Sequence, residues 1–562
     1  MPDNSAYKAR PAQRLRSISL CHCLISVFSA ILVAVPPATL AQAKSQHGDE
    51  SSPQPRADQH VIIVCLDGML PEYVIKPSML GLKIPVLTSL RLGGAYSAGM
   101  YGVYPSGDYP SHATIATGVN PRYHGIFNDT VFDTSGTVRS APEYSYASAL
   151  QSEPIWAAAK RSGLITASVG WPTTAGANID YNIPEVWSPD HDPLTGPQAS
   201  PFSTPGLLEK ATAGDTGAKG DRLRTQITEY IIKNYKPNLL LVRLTELERA
   251  HHEFGPRSRE AIQELEVEDG YLGGIIQSAK DAGIYDKTTF IVLSDHGGAE
   301  VNRRFEPNVV LVRAKLITLD SAGKPSEWKA MAWPSGGSCA IVLHDPKDKE
   351  TADAVTALFS KIPMKSRSPL NRVIVRPELG KLEAFPQALL ALDATPSFYI
   401  DGEFTGPQVK EAEKGYRGAV GYVPTRVEMW ASLIVFGAAA RVGRSDEGDR
   451  DYGQARIDIA QMTDVAPTVA AILGITFPMA EGEPILELIK SEFTPPPDPD
   501  RGKRERYRKQ QDQDQDNLDK SDKSDKSDKS KGKPAATPEH PEPGSDGAIS
   551  TNAVASPILP PH

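Results

Sequence analysis

Short uninterrupted apolar runs recur along the chain: VIIVCLDG at 61–68, LITASVGW at 164–171, NLLLVRLT at 238–245, TFIVLSDHG at 289–297 and SLIVFG at 432–437. Runs of this length without polar alternation suit strands buried on both faces, as in a parallel sheet. Between them, residues 258–282 and 464–473 follow the helical period. Strands alternating with helices predict an α/β fold with a mostly parallel central sheet. Such sheets collect their ligands beyond the carboxyl ends of the strands. Asp67, Glu248 and the adjacent Asp295 and His296 each stand where an apolar run stops, which makes them candidate site residues. The rhythm breaks over about 300–415, where CAIVLHD reads as a strand and 351–362 as a helix. This predicts an inserted subdomain within a folded body spanning 59–490.

The two ends of the chain have different patterns. Lys8, Arg10, Arg14 and Arg16 precede an apolar run over 21–35, and Ala41-Gln42-Ala43 follows as a small-residue cleavage site. This reads as an export signal over 1–43, with an uncleaved N-terminal anchor as the competing reading. The apolar run is too short for a comfortable membrane span. The expected location is therefore outside the cytoplasm, periplasmic or extracellular, with no stable membrane span after cleavage. Residues 44–58 read as a linker. From Thr494 the chain turns to charge, Pro and a Lys-Ser-Asp repeat, which cannot bury enough apolar surface to offset its ordering entropy. The expected state of 494–562 is disorder. Cys65 and Cys339 are the thiols left beyond the signal, both in apolar runs that suit buried free cysteines better than a disulfide. A net charge of −9 over 562 residues argues against a grip on nucleic acid backbones.

Four segments carry candidate chemistry. Asp67 in CLDGM could be a turn residue or a ligand. The segment YPSGDYPSHATIATGVNPRYHGIFND at 104–129 is too long and polar for strand or core. In LTELERAHHEFGP, Glu248 and His252 are four apart and share one side of a helical turn, a spacing that also fits a solvated helix face. In VLSDHGG, a carboxylate and an imidazole leave a strand together, a natural pair of ligands for a divalent ion.

The stretch YPSHATIATGVNPRYHGIFND resembles the type I phosphodiesterase and nucleotide pyrophosphatase family of the alkaline phosphatase superfamily. CLDG, PIW at 154–156, GWP at 170–172, ELERAHHEFGP, SDHGG and DVAPTVAAILGI at 464–475 fall in that family's order, over about 59–490. The resemblance implies an alkaline phosphatase-like three-layer sandwich with a cap. It also implies a two-zinc site that hydrolyses phosphate diesters, or sometimes monoesters, through a hydroxyl nucleophile. Paired cations would lower the hydroxyl's pKa, clamp the phosphoryl oxygens and neutralise the attacking and leaving oxygens.

Carried over position by position, the match is mixed. Asp67, Asp295 and His296 match ligands of the first ion. The family's nucleophilic threonine is Asp108, which adds a third carboxylate to that ion's surroundings. The family's phosphate-binding Asn is Asp129, with Asn128 beside it. For the second ion the family's Asp is Glu248, its His matches His252, and its last His is Val420, which has no lone pair. His251 or Glu428 could compensate. Tyr109 stands where the family stacks an aromatic on the leaving group, and Ser106 reads as a turn residue or a replacement nucleophile. His112 and His124 are expected to orient the loop.

Two functional readings follow. The first is a metal-dependent hydrolase of phosphate esters or nucleotide-like small molecules, with Asp108 and Asp129 as catalytic residues. Here a metal-bound water would replace the missing hydroxyl, and an aspartyl nucleophile at Asp108 is chemically allowed. The alternative is a catalytically silent relative that binds a metal or a phosphorylated ligand without turnover. Zinc is the first choice of ion, and the oxygen-rich donor set also suits manganese or magnesium. A chain ending at Phe493 is predicted to melt within a few degrees of the full-length protein. A large loss of thermal stability would show that the tail contributes to the fold.

Overall fold

The computed structural model describes residues 54–132, 143–188, 191–363, 367–442, 455–496 and 502. The expected signal over 1–43, most of the expected linker and nearly all of the expected tail lie outside the described residues. The last linker residues are joined to the body. Arg56 N donates to Leu473 O at 2.8 Å, its guanidinium donates to Ala471 O at 2.6 Å, and it stacks over the Phe493 ring at 5.0 Å.

The main sheet is built around β1 (His60–Leu66). It is flanked in parallel by β5 (Leu239–Leu244) and β6 (Thr288–Leu293), and all three strands are buried along their whole length. Beyond β5 come β3 (Thr166–Val169) and β4 (Tyr181–Ile183), and β2 (Ala95–Tyr101) lies on the far side of β6. The strand Ala431–Gly437 connects β6 to β2 and runs antiparallel to both, where the apolar run had suggested a parallel strand. The cause is connectivity. The chain leaves the sheet after Leu293 and returns at the same end, pairing Leu433 with Leu293, with no crossover helix between.

Alternate residues of β1 serve two cores. Ile62, Val64 and Leu66 pack in the cluster that contains Ile227, Leu265 and Leu272 of the helices Gly220–Tyr235 and Arg259–Asp281. Val61, Ile63 and Cys65 pack in the cluster that contains the helix Val465–Leu473, every residue of which is buried. Helices on both faces of one sheet make three layers. Each fully buried Leu or Ile contributes about 1.5–3 kcal/mol relative to exposure, so this central slab anchors everything attached to the strand ends. Helix Arg259–Asp281 starts where Ser258 Oγ accepts from Ala261 N at 3.2 Å, a side-chain cap.

Among the described residues of 299–419, none adds a strand to the main sheet. Ala330–Ser335, Ser338–Leu343, Leu370–Val375 and Ala388–Ala394 form an antiparallel sheet, and Ala299–Phe305 pairs with Ser397–Ile400, Val409–Glu411 and Gly418–Ala419. Cys65 and Cys339 are buried and free.

Gly421 binds this region to the loop before Asp108. Its N–H donates to Ser106 O at 2.8 Å, and Gly337 N donates to Val420 O at 2.6 Å. Its φ is +82°, and a Cβ there would lie 1.6 Å from Ser335 O. Gly421→Ala is therefore predicted to destabilise the body by about 3 kcal/mol through backbone strain and overpacking. Urea unfolding would measure this, and a change below about 0.5 kcal/mol would show that the crossing adjusts freely.

Candidate active site

The ends of two neighbouring strands supply the floor of the site. Asp67 follows β1, and Asp295 with His296 follows β6. All three are fully buried. Gly68 turns at φ +73°, which points its N–H at Asp295 Oδ1, 3.2 Å away. Gly297 lies against the Glu428 carbonyl, where a Cβ would be 2.0 Å from the oxygen, so only glycine lets the Asp295-His296 turn seat there.

Asp108 comes from the other side, as the first residue of the helix Asp108–Thr117. Its side chain is 19% exposed, against 0% for Asp67, Asp295 and His296, so Asp108 is the acid of this group that reaches the cleft. His296 Nε2 lies 3.0 Å from Asp108 Oδ1, 3.2 Å from Asp295 Oδ2 and 3.5 Å from Asp67 Oδ1. Positions spread from Asp67 to His296, about half the length of the body, thus converge on one point. Asp67 Oδ1 and Asp295 Oδ2 are fully buried and have no hydrogen-bond partner among the described residues. Ligands around a tetrahedral zinc, with bonds of about 2.0 Å, stand about 3.3 Å apart. Two orphaned oxygens at that spacing from an imidazole nitrogen fit a divalent ion. The electrostatics of the pocket agree: burial would lower the His296 imidazole, but Asp295 and Asp108 hold it well above the usual range, so positive charge is favoured at this point.

The expected second set of ligands is arranged differently. Helix Glu246–Phe254 follows β5 and carries Glu248 and His252 on one side. His252 Nε2 pairs with Glu248 Oε1 at 2.9 Å, and its Nδ1 lies 2.8 Å from Gly418 O. Burial acts against the imidazolium, yet Glu248 outweighs it and raises His252 to about 9. Val420 is two residues past Gly418, and its side chain has no donor atom for an ion. His251 is turned to Tyr73, its Nε2 3.0 Å from the phenol oxygen, and burial pushes it down to about 3. Glu428 is exposed.

The remaining expected residues serve the loop around Asp108. Asp129 Oδ1 accepts from Tyr109 N at 2.9 Å, at the positive end of the helix that starts with Asp108. Burial, then the Asp108 charge, pushes the Asp129 carboxyl up to about 7. Asn128 Oδ1 accepts from Asp129 N at 2.8 Å, and its amide donates to Pro334 O at 2.8 Å. Tyr109 is 2% exposed, and its hydroxyl donates to Glu143 at 2.6 Å. The rings that line the adjoining cavity of about 400 Å³ are instead Tyr399 and Tyr416, with Asn128 and Asp129 in the same wall. Ser106 is fully buried and donates to Val103 O at 2.8 Å. His112 Nδ1 sits 2.8 Å from Asp108 O and 3.4 Å from Asp295 Oδ2, its ring edge-on to Trp171. His124 Nε2 is 3.0 Å from Thr114 Oγ1.

Sequence reasoning missed Arg243. It lies on β5, opposite Cys65 of β1, with a side chain 4% exposed. Its Nε donates to Asp67 Oδ2 at 2.7 Å, its Nη2 to Asp67 Oδ2 at 2.5 Å and to Asp108 Oδ2, and its Nη1 to Glu185 Oε1 at 3.1 Å. Glu185 in turn pairs with Arg224 at 2.8 Å. Burial would raise the Asp108 carboxyl, but Arg243 and His296 hold it well below the usual carboxylate range. The signal was present in NLLLVRLT, because a charge inside a strand buried on both faces requires buried partners.

Comparison with known proteins places this geometry. Human ectonucleotide pyrophosphatase/phosphodiesterase family member 1 is 26% identical over 242 residues, 42% of this chain and 23% of that protein. Rattus norvegicus family member 3 is 27% identical over 266 residues, 47% of this chain and 27% of that protein. The Macrovipera lebetinus venom phosphodiesterase is 24% identical over 270 residues, 47% and 28% of the two chains. The chain thus spans about a quarter of the length of these curated relatives. The structure of human ectonucleotide pyrophosphatase/phosphodiesterase 5 matches with a TM-score of 0.53 at 18% identity, covering 77% of this chain and 100% of that one. An inactive murine counterpart in complex with AMP matches with a TM-score of 0.52 at 19% identity over 77% and 100%. These neighbours share the alkaline phosphatase-like fold. The family model for type I phosphodiesterase/nucleotide pyrophosphatase matches residues 61–411, more than half of the chain, and the chain belongs to that family.

Proposed function

We propose that this protein is an exported metal-dependent hydrolase of small phosphate esters, nucleotide-like in size, that works without a hydroxyl nucleophile. The observation that carries the reading is the convergence of Asp67 Oδ1, Asp295 Oδ2 and Asp108 Oδ1 on His296 Nε2, with Asp67 Oδ1 and Asp295 Oδ2 accepting no hydrogen bond among the described residues. These four residues are the ligands of a divalent ion, zinc first and manganese or magnesium next. An ion held there supplies Lewis acidity toward a phosphoryl oxygen and acidifies water.

The chain's own groups divide the remaining work. Asp108 has one oxygen beside His296 and the other on Arg243, which leaves it a poor nucleophile and assigns attack to water. Asp129, raised to about 7 beside Asp108, is placed to take a proton from that water near neutral pH. A carboxyl that is about half neutral near pH 7 also lessens the repulsion that two aspartates would present to a phosphate. The cavity beside Asp129, with Tyr399 and Tyr416 in its wall, receives the leaving group. A silent relative is the second reading, favoured by one observation: Arg243 already neutralises Asp67 and Asp108 from within.

Hydrolysis of a nitrophenyl phosphodiester and monoester by the purified mature protein, before and after chelation, separates the two. Slow turnover that chelator abolishes and zinc or manganese restores is the expected result, with Asp129→Asn lowering kcat by about 100-fold. No turnover by metal-loaded protein would establish the silent reading, and robust diesterase activity indifferent to Asp108→Ala would remove Asp108 from the site. Asp67→Asn and Asp295→Asn should each weaken zinc binding by more than about tenfold in calorimetric titration. Affinity should rise with pH, because the ion must displace the His296 proton.

A further inference from the structure

Asp67 and Asp108 each divide their two oxygens between two positive partners. Their Oδ1 atoms face His296 Nε2 at 3.5 and 3.0 Å, the position that fits an ion. Their Oδ2 atoms face Arg243 Nη2, at 2.5 Å for Asp67 and in close contact for Asp108. A pair of carboxylates arranged this way in a two-ion centre would bridge the two ions. Here one of the two positions is filled by a guanidinium. Arg243 Nη2 also lies 3.8 Å from Glu248 Oε2, on the side where a second ion would draw its ligands. Those ligands are engaged with each other, since His252 binds Glu248 on one nitrogen and faces Gly418 O with the other.

We propose that Arg243 is the resident second cation of this centre: its guanidinium bridges Asp67 and Asp108 on the face away from His296, excludes a second divalent ion and limits the chain to one. A guanidinium is permanently charged and presents donors in a fixed plane, so it fills a bridging position without any change of occupancy. All three of its nitrogens are engaged with Asp67, Asp108 and Glu185, so Arg243 acts as a positioning residue that orients the two carboxylates. The cost of this arrangement is a fixed coordination count. Supplying the missing imidazole at Val420 therefore cannot by itself create a second ion site while Arg243 remains.

The inference rests on the metal reading above, and ion counting tests the two separately. Zinc per chain would be measured by calorimetric titration and elemental analysis on the full chain, for wild type, Val420→His, and Val420→His with Arg243→Ala. The expected counts are one, one and two. Two ions in wild type or in Val420→His would overturn the role of Arg243 while leaving metal binding intact, and neither measurement requires the arginine variant to fold. One ion in a folded double variant would also overturn it. No ion in wild type would overturn the metal reading and this inference together.

Discussion

The site depends on the burial of carboxylates. Asp67, Asp108, Asp295, Glu185 and Glu248 gather where three strands end, in surroundings from which water is largely excluded. Like charges at such separations repel strongly when the effective dielectric is low, and each ion also pays for desolvation. The cluster can exist only with positive charge threaded through it. In this chain Arg243 enters from β5, Arg224 backs Glu185, and the surrounding carboxylates raise the pKa of the His296 and His252 imidazoles. The rigid slab beneath holds these groups in place, because Arg243 leaves a strand buried on both faces and cannot swing away without lifting β5 from β1.

Much of the fold could be read from the sequence, for a simple reason. Strands buried on both faces leave uninterrupted apolar runs, and five such runs mark β1, β3, β5, β6 and Ala431–Gly437. The direction of the last could not be read, since an apolar run does not record which way it travels; that depends on the return path through residues 299–419. β2 escaped notice because AYSAGMY mixes small and polar residues, its burial coming from neighbours and not from its own hydrophobicity.

The site was legible where motif and strand end coincide, as at Asp67, Asp295 and His296. Asp108 was found through the position it holds in a longer motif, a signal that single-residue chemistry would not have given. Tyr109 shows the limit of that approach. Its place in the motif suggested a stacking surface, while its phenol finds Glu143 and its ring a small cluster with Ala113 and Ile126. The aromatic faces nearer the cavity come from Tyr399 and Tyr416, about three hundred residues away in a region whose pattern carries no code for the cleft. Arg243 was missed for the opposite reason: the run around it was so apolar that it was read as a strand, and the charge within it was not asked for its partners.

The clasp formed by Arg56 has an architectural consequence. It joins the start of the described body to Leu473 and Phe493 near its end, on the side where β1 begins. The carboxylates sit where β1 finishes, seven residues further along the strand, about 20 Å away at the rise of an extended chain. The two ends of the described body therefore meet near the start of β1, and the carboxylate cluster lies past its finish.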